Sequence, residues 1–374
     1  MLKKLDYYAA VLSDVHLCHD RTDTRRIVNE IKIYFPDDSS TEKLDTIYIA
    51  GDWFDKLITY PNENLNHAED AMIYLLKLCK KRNIQLRVLE GTPSHDWKQP
   101  KRFLHLNKRI NADLKYFETL DIEHNDKFGI DVLYIPDEYD PDTNKTFIDV
   151  KKKMTSLGLE KVDLAIMHGQ FKYQLPEIAR VPKHDEKNYL DIVKYYIAIG
   201  HVHTFSTFDR IIAQGSFSRL AHGEENPKGH VRFHLYQNGD MNYEFIENKE
   251  ATKYITIDVR NMEVSDVVTK IKNITSKLPS GSYIRLRANK NDPILIKQNL
   301  DLLSMNEYGM IWTKSIIDDP DTKKNNISNN EFNNFIPITL TKENIVQQLL
   351  SRMEQKGYDK KDISLVNEMM KGSL

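Results

Sequence analysis

LRVLEGTPSHDWKQP, residues 86–100, reads as a buried strand that stops at Gly91 and gives way to a polar turn holding Ser94, His95 and Asp96. The same pattern recurs along the chain. YYAAVLSD (7–14), TIYIAGD (46–52), QLRVLEG (85–91), DVLYIPD (131–137), VDLAIMHG (162–169), YYIAIGHVH (195–203) and RIIAQGS (210–216) are apolar runs that end in polar residues. Near-continuous apolar strands indicate burial on both faces of a sheet. Helix-like stretches lie between several of them. AEDAMIYLLKLCKKR (68–82) is apolar at 3.6-residue spacing, and its acidic start and basic end suit the helix dipole. The pattern predicts an α/β fold with helices packed on sheet. A hairpin over 230–248, turning at Asn238-Gly239, closes this region.

Beyond about Lys253 the pattern changes. YITIDV, a helix-like SDVVTKIKNITSKL and GSYIRLRA form a small β-α-β unit without histidine. The expected division is a main domain over 1–250, a small α+β domain over 251–317, a polar Asn-rich linker over 318–340 and a helical tail over 341–374. In the tail Thr341 is placed to cap a helix and Gly357 to stop it, with Ile345, Val346, Leu349, Leu350 and Met353 on one stripe. That stripe suits docking on its own domain or binding a partner protein.

The longest apolar runs are too short to cross a bilayer, and the N-terminal stretch has no signal-peptide pattern. Cys18 and Cys79 form neither a disulfide framework nor a zinc-type CxxC, which points to a reducing, cytoplasmic compartment. A net charge of -2 gives no bulk attraction to nucleic acid, so DNA binding would need local basic patches or bound cations.

The polar strand ends carry the chemistry. SDVHL gives Asp14 and His16, GDWFD gives Asp52 and Asp55, MHGQ gives His168, and GHVH gives His201 and His203. Ligands of open α/β sheets sit beyond the carboxyl ends of the strands, where these side chains would converge. Spacing of two lets Val15 and Val202 point inward while their neighbours face the cleft. Mixed carboxylates and imidazoles suit manganese, iron or zinc rather than calcium or magnesium. A carboxylate shared by two such ions, about 3.5–4 Å apart, is the arrangement that activates water for phosphoryl displacement.

The series DVH, GDWFD, SHD, HG and GHVH resembles the calcineurin-like metallophosphoesterase superfamily, and within it the SbcD-type nuclease subunits of double-strand-break complexes. The segment after GHVH, with Gly215, Ser216, Arg219, Gly223, Glu224 and Gly229, is similar to the family's GS-x-x-R, GE and KG run. The resemblance implies a four-layer α/β/β/α sandwich with a capping domain. It implies two divalent ions, most plausibly manganese, with Asp14, His16 and His203 at one, Asp52 bridging, and His168 and His201 at the other. His95 would stabilise the transition state or protonate the leaving oxygen, with Asp55 or Asp96 orienting its ring. It further implies a homodimer acting on DNA with an SbcC-type coiled-coil ATPase held by the tail, in a bacterial or phage-infected cell. The absence of a Walker A motif assigns ATP hydrolysis to that partner.

The family usually reads GNHD where this chain reads GTPSHD, which puts Ser94 in the place of a metal-binding asparagine. A hydroxyl is the poorer ligand, so weaker binding at the second position is expected, along with a need for millimolar manganese. Lys98, Lys101 and Arg102 after the turn, and Arg285 and Arg287 alternating on one strand face, are candidates for phosphate contacts or for solvated charge. His184 reads as a surface residue. Two rival functions stand beside the nuclease: a phosphoesterase of small molecules, and a scaffold with a decayed metal site.

Overall fold

The apolar runs form strands because both of their faces are covered. In the computed structural model, which describes residues 6–20, 22–137, 139–295 and 310–317 with Leu350 and Val366 beyond them, every residue of the second and third strands is buried. The linker and tail expected over 318–374 otherwise lie outside the described residues.

The first sheet contains β1 (Tyr7–Leu12), β2 (Thr46–Ala50), β3 (Gln85–Leu89) and β4 (Leu114–Phe117), paired in parallel. The second contains β5 (Asp121–Asn125), β6 (Ile130–Ile135), β7 (Leu164–Gly169), β8 (Ile197–His201), β9 (Ser206–Phe208) and β10 (Ile211–Ala213). Within it β6, β7, β8 and β10 run parallel, and β5 and β9 are antiparallel edges. The hairpin of β11 (Gly229–Leu235) and β12 (Met241–Glu247) returns antiparallel to β1, giving the order β12-β11-β1-β2-β3-β4. This is a mixed α/β fold with two mixed sheets.

Tyr7, Val11, Tyr48 and Leu89 of one sheet pack against Val132, Tyr134, Ile166 and Ala198 of the other. The polar atoms in this layer are paired. Arg87 donates from Nε to Glu123 at 2.9 Å, and Tyr134 donates to the same carboxylate at 3.0 Å. A buried ion pair tolerates its desolvation only with such saturation, so this network fixes the stacking of the sheets as well as filling space.

Helices cover the outer faces. The core of the first sheet is covered by α1 (Thr24–Tyr34), α3 (Glu63–Arg82) and α5 (Arg102–Ile110), with the short α2 (Ser39–Glu42) leading into β2 and α4 (Pro93–Asp96) following β3 at the sheet's edge. Ile27, Leu75 and Phe103 carry the apolar stripes of α1, α3 and α5 into one core. Asn62 caps α3 through Asn64 N–H, and Asn83 ends it in the left-handed region, so the helix starts five residues before the stretch legible as periodic. On the second sheet lie α6 (Thr143–Ser156) and α7 (Glu186–Ile192), with Val150, Met154 and Tyr189 facing inward.

The small unit comprises β13 (Tyr254–Asp258), α8 (Val264–Thr275) and β14 (Tyr283–Asn289), joined by β15 (Ile311–Ile317) in a three-stranded sheet with its own core of Ile257, Val267, Ile271 and Leu286. It belongs to the same compact unit as the main domain, which extends to Ser315; a second unit begins at Ile316. The His222 and Tyr254 rings meet edge-on at 5.1 Å where the small sheet joins the main domain. Among the described residues, no helix is long and apolar enough to cross a membrane.

Candidate metal centre

Parallel strands that enter side by side deliver their first polar residues to one edge. The two sheets are tied together at that edge: His168 Nδ1 lies 2.7 Å from Ala50 O, and the His201 N–H donates to both Asp14 carboxylate oxygens at 3.0 Å. Close approach requires glycine here. A Cβ at Gly91 would stand 2.1 Å from Asp52 N, and one at Gly200 would stand 2.4 Å from Ala50 O. Asp14, His16, Asp52 and His201 all take positive φ (50°, 49°, 49° and 94°). Such backbone costs about 1–3 kcal/mol at each non-glycine residue and clusters at functional sites.

Three ligand groups result among the described residues, of which one, His16, Asp55 and His95, shares His16 with the first of the two that meet at Asp52. Of those two, Asp14, His16 and His203 form the first, and Asp52, His168 and His201 form the other. Asp52 Oδ2 stands 3.3 Å from His168 Nε2 and 3.7 Å from His16 Nε2, between the groups. His203 Nε2 stands 3.1 Å from His16 Nε2 and 3.7 Å from Asp14 Oδ1. Ligand atoms about 2.1 Å from one cation and at right angles are about 3.0 Å apart, so spacings of 3.1–3.7 Å fit a coordination shell. These donors could hold two divalent cations.

The residue expected at the turn is corrected by the fold. Ser94 is exposed, and its carbonyl accepts from Trp97 Nε1. Thr92 takes the inner place. Its Oγ1 lies 3.2 Å from Asp52 Oδ2, 3.3 Å from His168 Nε2 and 3.2 Å from His201 Nδ1, and its N–H donates to Asp52 Oδ1 at 2.6 Å. Pro93 and Ser94 are the extra residues: they open α4 and swing outward, whereas Thr92 directly follows Gly91.

His95 projects beside the first group, its ring edge-on to His16 at 4.9 Å. Its Nδ1 is bound by the main-chain carbonyl of Asp55, which leaves Nε2 as the outward nitrogen. Neither carboxylate expected to orient the ring does so. The Asp55 side chain faces His16 Nδ1 at 3.3 Å, and Asp96 accepts from the Phe54 and Gly91 N–H groups, each at 2.9 Å. Asp96 is fully buried, and burial together with Asp52 raises its pKa well above the usual carboxylate range. Its carboxylate ties the Phe54 and Gly91 loops together.

Glu224 is a supporting residue whose role spacing alone does not disclose. It accepts from His203 Nδ1 at 2.9 Å, as carboxylates commonly do behind a metal-binding imidazole. Burial would raise the Glu224 pKa, but the His203 hydrogen bond outweighs it and holds the value near about 2. The buried Lys228 ammonium, 3.3 Å from Glu224 Oε2, donates to His203 O at 2.8 Å.

The candidate DNA contacts are partly neutralised. Lys98 and Lys101 both pair with Glu118, at 2.8 and 2.5 Å, and Arg102 pairs with Glu69. Arg285 and Arg287 share the outer face of β14, with Arg285 Nη2 donating to Thr256 Oγ1 at 3.0 Å. His184 is buried, not superficial; Tyr189 OH lies 3.2 Å from its Nδ1, and burial lowers its pKa to about 4. Burial also lifts the Cys18 thiol to about 11, so it is inert.

In the metal-free chain, burial opposes charge on both Asp52 and His168, yet their mutual attraction wins. Asp52 is held well below its usual range and His168 well above. The attraction favours the protonated His168 imidazole, so an arriving cation competes with a proton there. Manganese uptake at pH 7 is expected to release at least about one proton per chain. Because the raised pKa favours the cation-excluding form at low pH, affinity should climb as pH rises towards it. Calorimetry in two buffers of different ionisation heat measures this, and uptake without proton release would contradict the assignment.

No protein-family model matches the chain, and no curated protein matches it. Among the solved structures that resemble it, one crystal structure is similar at 10% identity and a TM-score of 0.40, over 65% of this chain and 100% of its own, a likeness too distant to carry fold or function.

Proposed function

We propose that the chain is a metal-dependent phosphodiesterase, and specifically a manganese-dependent DNA nuclease built as a calcineurin-like four-layer sandwich. The observation that supports this best is Asp52 Oδ2 standing between His16 and His168, with Asp14 and His203 on one side and His201 on the other. A pair of divalent ions held there supplies Lewis-acid stabilisation of a phosphoryl group and lowers the pKa of water.

The chain's own residues do the rest. Asp52 and Asp14 provide the negative charge that retains cations, and Thr92 and Glu224 hold Asp52 and His203 in orientation. His95, fixed through Nδ1 by the Asp55 carbonyl, offers Nε2 to a phosphate oxygen or to the leaving group. Nucleic acid is favoured over a small ester by the groove beside the centre. It measures about 620 Å³, is largely apolar and is lined by Pro93, Trp97 and Tyr139 together with Lys98 paired to Glu118, so its aromatic face rather than its charge carries the preference. Trp97 is 54% exposed, a surface on which a splayed base can stack.

In this reading the protein trims duplex ends from 3′ to 5′ and cuts single strands or hairpins, as a homodimer with a coiled-coil ATPase of the SbcC type, in recombination or repair. Circular single-stranded DNA tests the core of it. Cutting with manganese, abolished by chelator, is expected. Intact circles alongside hydrolysis of a small aryl phosphodiester would replace the nuclease by a small-molecule enzyme, and no hydrolysis of either would favour a scaffold.

A further inference from the structure

We propose that Asp137 is a ligand of the second metal position, a role that rests on reading Asp52, His168 and His201 as a cation site. The sequence places it there by the same rule that places Asp52. β2 ends at Ala50 and Asp52 follows two residues on; β6 ends at Ile135 and Asp137 follows two residues on. β6 runs parallel to β7 with Ile135 opposite Met167, so its exit lies next to the end of β7 that carries His168.

The side chain approaches the cluster through His201 and stands outside the tight group of Asp52, His168 and His201, whose ligand atoms lie within 4.8 Å of one another. Asp137 Oδ2 stands 3.6 Å from His201 Nδ1, the nitrogen that also lies 3.2 Å from Thr92 Oγ1. That oxygen is buried and has no hydrogen-bond donor among the described residues. A buried carboxylate oxygen without a donor is costly unless a cation meets it. The neighbouring imidazole His184 is neutral at physiological pH and is held by Tyr189, so it supplies no charge. Two ligand atoms 3.6 Å apart on legs of about 2.1 Å subtend about 118°, close to the equatorial angle of a five-coordinate ion.

The second position thus combines Asp52 and Asp137 with two imidazoles and the Thr92 hydroxyl. It carries a carboxylate beyond the shared Asp52, as the first position does in Asp14. Losing the asparagine at the turn then need not weaken it, contrary to what the turn sequence alone suggests.

The test counts ions, and activity is not its readout. The full chain, titrated with manganese and followed by calorimetry and by the spin resonance of free Mn²⁺, is expected to bind two ions of comparable affinity. Asp137→Asn should weaken one of the two at least about tenfold and leave the other unchanged, while Asp14→Asn should weaken the other. Asp137→Asn binding two ions as the parent does would overturn the proposal. A parent chain binding no ion would remove the centre itself, a result distinct from failure of Asp137 alone. Should the variant not fold, a manganese-soaked crystal of the parent decides: an ion within about 2.5 Å of Asp137 Oδ2 supports the proposal, and an ion beyond that reach overturns it.

Discussion

Asp52→Asn should fold, bind neither manganese ion tightly and lose phosphodiesterase activity by about a thousandfold or more. The size follows from position. Asp52 Oδ2 is within 3.7 Å of His16 and 3.3 Å of His168, so it alone faces both positions of the pair. Replacing its carboxylate by an amide removes the shared negative charge, and His168 loses the neighbour that raises its pKa. The same change should therefore abolish proton release from His168 on adding manganese. The amide oxygen can still accept from Thr92 N–H, so the turn is expected to keep its shape. Ion counting and a circular-DNA assay together check the result. An Asp52→Asn chain that retains two tight ions would mean the carboxylate does not bridge.

How much of this the sequence disclosed depends on whether a residue's partners are local. The buried strands were legible because burial on both faces forces uninterrupted apolar runs. The edge strands LKYF, DIEHN and STF were not: they are short, and DIEHN carries Asp121, Glu123 and His124 among few apolar residues, which no period of two can bring out. Asp14, Asp52, His168, His201 and His203 stood out because each follows an apolar run directly.

Thr92 was hidden because a lengthened turn can be counted from either end. Counting back from His95 selects Ser94, whereas the chain is anchored by Gly91, packed against Asp52, and counting forward from it selects Thr92. Asp137 ended a recognised strand but brought no histidine with it. Glu118, which pairs with Lys98 and Lys101, follows β4, so the neutralisation of those cations was invisible in the run KQPKR. The position of Asp96 away from the His95 ring was hidden for the same reason. Its two donors come from Phe54 and Gly91, and only the fold brings them to one carboxylate.

His95→Gln separates chemistry from metal binding. His95 lies outside both ligand groups that meet at Asp52, so the variant should keep both ions and the proton release that accompanies them. Its rate should fall by about 10²–10⁴-fold, the usual worth of a positioned acid or base. The ring is held through Nδ1 by a backbone carbonyl, so Asp55→Asn leaves that contact in place and should act instead through His16, 3.3 Å from its carboxylate. The two variants are therefore expected to diverge: Asp55→Asn weakens the first ion, and His95→Gln slows the reaction at saturating manganese. If His95→Gln instead lost an ion, the histidine would be a ligand in the neighbouring group of His16, Asp55 and His95, and its assignment as the proton-handling residue would fall.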